Sequence, residues 1–68
     1  MDIPHVFTYH APMPEQVPKY DAIRAAAAAL AEAIIANTPA CADQSAALRH
    51  VREAAWTANA AVALGGRL

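Results

Sequence analysis

The sequence predicts an all-α protein: an antiparallel two-helix hairpin with an extended proline-rich N-terminal arm, assembling as a homo-oligomer. Two long alanine-rich segments carry larger apolar residues at helical spacing. Breakers at Asn37-Thr38-Pro39 and Gly65-Gly66 follow these segments. Four of the five prolines fall within the first 18 residues. These observations divide the chain into an arm over residues 1–13 and a helical hairpin domain over residues 14–68.

The arm is predicted to be extended because proline removes a backbone donor and biases the preceding residue towards extended geometry. It also contains apolar and aromatic side chains that gain from burial, which distinguishes it from an ordinary disordered tail. These side chains are Ile3, Val6, Phe7 and Tyr9. We therefore expect the arm to pack against another part of the protein.

The first helix is predicted to start near Pro14, since proline suits a first helical position. Pro18 lies near this start and is expected to bend it. No breaker interrupts the alanine-rich stretch from Lys19 to Ala36. A buried stripe is predicted from residues spaced four, three and four apart: Ile23, Ala27, Leu30 and Ile34.

The second helix is predicted to start between Pro39 and Asp43, with Asp43 as its N-cap. Apolar residues spaced three and four apart form the pattern of a packed seam. They are Leu48, Val51, Ala55, Ala58 and Val62. Gly65 supplies the left-handed conformation common at helix ends. The short connection makes the two helices antiparallel neighbours.

Self-association is predicted from the small supply of large apolar side chains. The composition is 57% hydrophobic, but much of that is alanine, which buries little area. Chains this short need reinforcement by a disulfide, a metal or oligomerisation. Cys41 is the single cysteine, which excludes an internal disulfide and fits a reducing cytoplasm.

The formal charge of −1 argues against a partner of duplex DNA or RNA, which usually requires a strong basic excess. A small phosphate ligand needs only two or three basic side chains. No membrane span is predicted, because Arg24 and Glu32 interrupt the most apolar stretch. We expect a location in the host cytoplasm.

No catalytic or metal-binding pattern is present. The sequence contains no glycine-rich phosphate loop and no serine within a histidine–carboxylate pattern. His5, His10, His50 and Cys41 match no common zinc spacing. We therefore predict a protein that is not an enzyme and that uses no metal and no cofactor.

Two groups of residues suggest contact surfaces. In the arm and first helix, Phe7, Tyr9 and His10 offer flat rings, and Lys19 and Arg24 offer positive charge. Bases stack on aromatic rings and arginine binds phosphate through paired hydrogen bonds. On the second helix, a polar and basic stripe recurs at helical spacing: Ser45, Arg49, Arg52, Trp56 and Asn59. From the sequence, this stripe fits either a subunit interface or a ligand site.

Two stretches of the sequence resemble a known phage domain. The first runs from Phe7-Thr-Tyr9-His10 through Pro14-Glu-Gln-Val to Tyr20-Asp-Ala-Ile-Arg24. The second contains Arg52-Glu53-Ala-Ala-Trp56 and Ala58-Asn59-Ala-Ala-Val62. Together, over about residues 7–64, they resemble the hairpin domain shared by the anti-CBASS and anti-Thoeris sponges of bacteriophages.

The resemblance implies a protein that captures cyclic di- or trinucleotide immune messengers without cleaving them. Family members are helical hairpins that assemble into hexamers. By match to the family pattern, Tyr9 stacks on a base, supported by Phe7 and His10. Arg24 meets phosphate, with Lys19 as a further candidate. Ala26 and Ala60 stand where some members carry a hydroxyl residue and an arginine that bear on the trinucleotide site.

Two other functions fit the same sequence. A small helical protein-binding adaptor, or an antitoxin-like oligomer, would use the stripe of Arg49, Arg52 and Trp56 on a protein partner. A purely structural assembly protein would bind no ligand. In the sponge interpretation, Tyr20 and Trp56 pack at subunit interfaces.

Overall fold

The computed structural model describes all 68 residues and contains three α-helices and no strand. The helices are α1 (Ile3–Val6), α2 (Val17–Asn37) and α3 (Ala42–Leu64). A 3-10 turn over Pro14–Gln16 leads directly into α2. The predicted helical hairpin is therefore confirmed. None of the helices combines the length and the apolar character needed to cross a membrane.

The prediction of a fully extended arm is wrong at its start, because α1 forms one helical turn there. Asp2 is its N-cap and accepts a hydrogen bond from the backbone N–H of His5 at 3.2 Å. Pro4 lies in this first turn, where a backbone N–H would have no acceptor within the helix, so proline is tolerated. The Thr8 hydroxyl donates to the carbonyl of Pro4 at the end of the turn. The arm remains free of regular structure from Thr8 to Met13.

Helix α2 begins directly after the 3-10 turn, so Pro18 lies in its first turn. The backbone N–H groups of a first turn have no partner within the helix, so the missing N–H of proline costs no hydrogen bond there. Polar side chains satisfy carbonyls at its other end. The Asn37 amide donates to Ala33 at 2.7 Å, and the Thr38 hydroxyl donates to Ile34 at 2.6 Å. Thr38 is extended, as expected of a residue before proline, and ends the helix.

Helix α3 starts within the predicted interval, but its N-cap is Cys41 and not Asp43. The Cys41 sulfur accepts from the backbone N–H of Gln44 at 3.5 Å. Asp43 instead lies in the first turn, where a negative charge favours the positive end of the helix dipole. Gly65 ends α3 in the predicted left-handed conformation, with φ of 63°.

The two long helices pack antiparallel, and a side-chain hydrogen bond at each end of the pair fixes their register. The Gln16 amide donates to the carbonyl of Val62 at 3.2 Å at one end. The Gln44 amide donates to the carbonyl of Thr38 at 3.2 Å at the other end. The α3 seam is half-buried as predicted, at Leu48, Val51, Ala55, Ala58 and Val62.

The α2 stripe differs from the prediction at one position. Tyr20, Ile23, Ala27 and Ile34 are half-buried, but Leu30 is 53% exposed. The neighbouring Ala31 is half-buried instead. Helical spacing allows either residue in the stripe, and the smaller one lets the two backbones approach closely. No residue of the 68 is fully buried within the protomer.

Candidate functional site

The N-terminal arm is held against the C-terminal end of α3 by side chains from both segments. The His5 Nε2 lies 3.2 Å from the carbonyl oxygen of Leu64. Beyond the end of α3, Arg67 forms an ion pair with Asp2 at 3.1 Å. Gln16 accepts from the backbone N–H of Met13 at 2.9 Å while it donates to Val62. The arm therefore starts and ends beside the last turns of α3.

A pair of histidines organises the arm between these two anchors. The His10 Nε2 lies 2.7 Å from the carbonyl oxygen of His5. The two rings meet edge to face, with centroids 5.0 Å apart and planes at 76°. The half-buried ring of His10 thus has a role in shaping the arm, in addition to its predicted place beside a ligand.

The two other aromatic rings of the arm point into solvent. Tyr9 is 83% exposed and Phe7 is 75% exposed. Neither ring makes an aromatic contact or a side-chain hydrogen bond within the protomer. An aromatic ring on an anchored segment is available for stacking, and its fixed backbone lowers the entropy lost on binding. If Phe7 and Tyr9 served only to pin the arm to the hairpin, their rings would be buried against the helices.

Arg24 projects from α2 and forms an ion pair with Asp21, with Nη1 and Oδ1 3.1 Å apart. Both side chains are largely exposed, so that the pair contributes little and is screened by salt. A phosphate therefore competes with Asp21 at low energetic cost. Lys19, five residues earlier and therefore about 140° around the helix from Arg24, is exposed and has no carboxylate within ion-pair distance.

The five predicted site residues are not joined within one protomer. No hydrogen bond, ion pair or ring contact links Phe7, Tyr9 and His10 of the arm to Lys19 or Arg24 of α2. The structure therefore leaves the aromatic residues on the arm unconnected to the two basic residues, which lie on different sides of the first half of α2. No three His, Cys, Asp or Glu side chains cluster as metal ligands would.

The basic stripe of α3 forms a second polar surface. The guanidinium of Arg52 lies 5.1 Å from the ring centroid of Trp56, and Trp56 remains 62% exposed. Arg49 reaches Glu53 only at 3.9 Å, a long contact between exposed groups. Four residues line a shallow open cavity of about 480 Å³ on this stripe: Ser45, Leu48, Arg49 and Arg52. The i, i+4 spacing of Arg52 and Trp56 is the signal that predicts their contact.

An apolar groove runs across both long helices, and the sequence did not predict it. Its volume is about 290 Å³, and all the lining residues are apolar. They are Ile23, Ala26, Ala27, Leu30, Val51, Ala54 and Ala55. The alanines beside the predicted seam are the feature of the sequence that could have indicated the groove. Larger side chains at these positions would fill the channel. The groove explains why Leu30 is exposed in a single protomer.

Comparison with known proteins gives one match. The family model described as "Acb2/Tad1, hairpin domain" matches residues 1–63, which cover the arm, both long helices and the groove. No curated protein and no solved structure matches the chain. Since the match spans nearly the whole chain, this protein belongs to the Acb2/Tad1 hairpin-domain family, the family of anti-CBASS and anti-Thoeris sponges.

Proposed function

We propose that the protein binds cyclic oligonucleotide immune messengers and sequesters them without cleavage, which blocks CBASS-type antiphage signalling in the host cytoplasm. The ligand class is cyclic dinucleotides such as cyclic GMP-AMP, with cyclic trinucleotides as a second class. The observation that carries the proposal is the family match over residues 1–63. The exposed rings and cations of the arm and α2 supply the chemistry that such a ligand needs.

In this proposal each group of site residues has one role. Tyr9 stacks on a base with support from Phe7 and His10, and a stack of this kind contributes about 1–3 kcal/mol. Arg24 binds phosphate through paired hydrogen bonds, and Lys19 is a further candidate for phosphate. Capture without cleavage requires only these contacts.

A complete site is proposed to form between protomers, in a homo-oligomer that we expect to be a hexamer. Two observations support this. No hydrogen bond, ion pair or ring contact joins the aromatic residues of the arm to Lys19 or Arg24 within one protomer. In addition, no residue is fully buried, so that a single hairpin lacks the core of a stable domain. A cyclic dinucleotide also needs more concave surface than one hairpin offers.

The test is a thermal-shift screen with cyclic di- and trinucleotides, using linear nucleotides as controls. A ligand that binds only the folded state adds about 2.7 kcal/mol of stability at a hundredfold excess over its dissociation constant. We expect Arg24→Ala to abolish this shift while the unliganded Tm changes little, since its ion pair is exposed. Arg49→Ala is the matched control and should keep the shift. An equal shift in both variants would remove Arg24 from the site.

A second candidate function is a protein-binding adaptor that uses the α3 stripe. The exposed Arg52–Trp56 pair favours it, because tryptophan and arginine dominate the energetics of protein interfaces. The same screen separates the two functions. The adaptor predicts no thermal shift with any nucleotide, under conditions in which a known family member is stabilised.

A further inference from the structure

The two residues that flank Tyr9 in the arm are both bonded to the end of α1. The Thr8 hydroxyl donates to the carbonyl of Pro4. The ring nitrogen Nε2 of His10 lies 2.7 Å from the carbonyl oxygen of His5. Because a carbonyl oxygen only accepts, this nitrogen carries the hydrogen and donates it. Two side-chain donors, one on each side of Tyr9, therefore hold the chain against α1.

Helix α1 supplies these two acceptors because it ends after a single turn. The last carbonyls of a helix have no partner within it and need donors from elsewhere. The backbone hydrogen bonds of α1 stop at the carbonyl of Ile3, and no backbone N–H reaches the carbonyl of Pro4 or His5. The side chains of Thr8 and His10 supply the missing donors.

Helix α1 is in turn fixed to the end of α3. The Nε2 of His5 lies 3.2 Å from the carbonyl oxygen of Leu64, the last residue of α3. Asp2, the N-cap of α1, forms an ion pair with Arg67 at 3.1 Å. A series of contacts therefore leads from the last turn of α3 through α1 to the neighbours of Tyr9.

The side chain of Tyr9 makes none of these contacts itself. It is 83% exposed, whereas the ring of His10 beside it is half-buried. The Tyr9 ring thus faces solvent from a backbone that is held at both neighbouring residues. A ring presented in this way has lost backbone freedom during folding and does not lose it again when it binds a ligand.

From these contacts we infer that Thr8 and His10 are positioning residues, whose hydrogen bonds to α1 hold Tyr9 in place to stack on a flat ring of the ligand. The inference rests on the proposed function, in which Tyr9 stacks on a base. His10 supports this stack through its N–H, and its own ring packs edge to face on His5, with centroids 5.0 Å apart. Thr8 has the same role through its hydroxyl.

Two substitutions at His10 separate its N–H from its ring. His10→Phe keeps a flat ring and removes the donor, whereas His10→Gln removes the ring and keeps an N–H at similar reach. Calorimetric titration with cyclic GMP-AMP and the other cyclic nucleotides of the thermal-shift panel measures the dissociation constant. His10→Phe should weaken binding about tenfold, which is the usual cost of ordering the backbone of one residue. His10→Gln should recover most of this loss.

Thr8 offers an independent pair of variants with almost unchanged side-chain volume. Thr8→Val replaces the hydroxyl by a methyl group, and Thr8→Ser keeps the hydroxyl. The valine variant should bind more weakly than the parent protein, and the serine variant should recover the affinity. Since Thr8 is exposed, neither change should alter the helices, which circular dichroism checks.

The order of the arm is measured without any nucleotide. The heteronuclear NOE of the Tyr9 backbone amide reports its motion on the picosecond to nanosecond timescale. We expect a value close to that of the long helices in the parent protein, and a lower value in His10→Phe and Thr8→Val. His10→Gln and Thr8→Ser should restore it.

Three results would overturn the inference. An unchanged NOE in His10→Phe and Thr8→Val would show that neither bond holds the arm. A lower NOE with an unchanged dissociation constant would show that the ligand does not depend on the position of Tyr9. Tighter binding by His10→Phe than by His10→Gln would show that the His10 ring itself contacts the ligand.

Failure of the proposed function gives a different result. In that case the parent protein and all four variants bind no cyclic nucleotide, which removes the ligand role of Tyr9. The NOE of Tyr9 still decides whether Thr8 and His10 hold the arm, because it is measured on the protein alone.

Discussion

The turn after α3 gives the sharpest test of the local structure, because its energetics come from the backbone alone. Gly65 has φ of 63° and Gly66 has φ of 78°, both in the left-handed region that is unfavourable for L-residues. The N–H of Gly66 donates to Ala61 at 3.0 Å, and the N–H of Gly65 donates to Val62 at 3.2 Å. This pair of bonds is the Schellman motif.

Replacing Gly65 with alanine isolates the conformational cost. A Cβ added at Gly65 meets nothing within 4 Å, so the substitution introduces no clash. The left-handed backbone costs an L-residue about 1 kcal/mol. In a domain of this size that loss lowers Tm by about 4–8 °C. Gly65→Asn should lose less, since asparagine tolerates this conformation better than alanine.

Thermal unfolding followed by circular dichroism measures these differences, with all variants at one protomer concentration because association shifts Tm. The expected order of Tm is the parent protein, then Gly65→Asn, then Gly65→Ala. If the alanine variant melts with the parent protein, or above it, the left-handed cap contributes no stability and the reasoning fails.

Two smaller perturbations follow from the ends of α3. Cys41→Ser should raise the free energy of unfolding by about 0.5–1 kcal/mol, because a serine oxygen is a better N-cap than a cysteine sulfur. The sulfur now lies 3.5 Å from the backbone nitrogen of Gln44. A lower Tm in the serine variant would contradict this. Arg67→Ala should cost at most about 1 kcal/mol, since its ion pair with Asp2 is largely exposed. Tm measured at low and high salt checks that the difference shrinks with ionic strength, and a loss independent of salt would assign Arg67 a role other than its charge.

The hairpin itself could be predicted from the sequence because its signals are local and repeated. Alanine-rich segments with three- and four-residue spacing define the long helices, and Pro39 and Gly65 stand close to the ends at which they stop. The short turn α1 escaped prediction, because four residues are too few for a periodic pattern. Its formation depends on one side chain, Asp2, capping the N–H of His5.

Packing details were less accessible because they depend on how two helices meet. The sequence pattern admits both Leu30 and Ala31 in the buried stripe, and only the crossing of α2 and α3 decides between them. The N-cap of α3 similarly depends on where the chain leaves the turn. Cys41 lies at that point, although Asp43 is the better capping residue by type.

For the candidate site, the sequence indicated residue types but not their arrangement. Aromatic and basic residues suggested nucleotide chemistry, and the structure shows Tyr9 and Arg24 exposed. The path of the arm depends on contacts across the chain, such as His5 with Leu64 and Gln16 with Val62. Contacts between residues so distant in sequence leave no periodic signal.

The most direct test of sequestration is to follow a cyclic dinucleotide through capture and release. The purified protein is mixed with cyclic GMP-AMP and passed through a filter that retains the protein. The retained fraction is then denatured, and the released nucleotide is identified by chromatography and mass spectrometry. If the protein sequesters its ligand, the nucleotide is retained in a fixed ratio to protein and is recovered as the intact cyclic molecule. Recovery of a linear product, or passage of this and every other cyclic nucleotide through the filter, would contradict it.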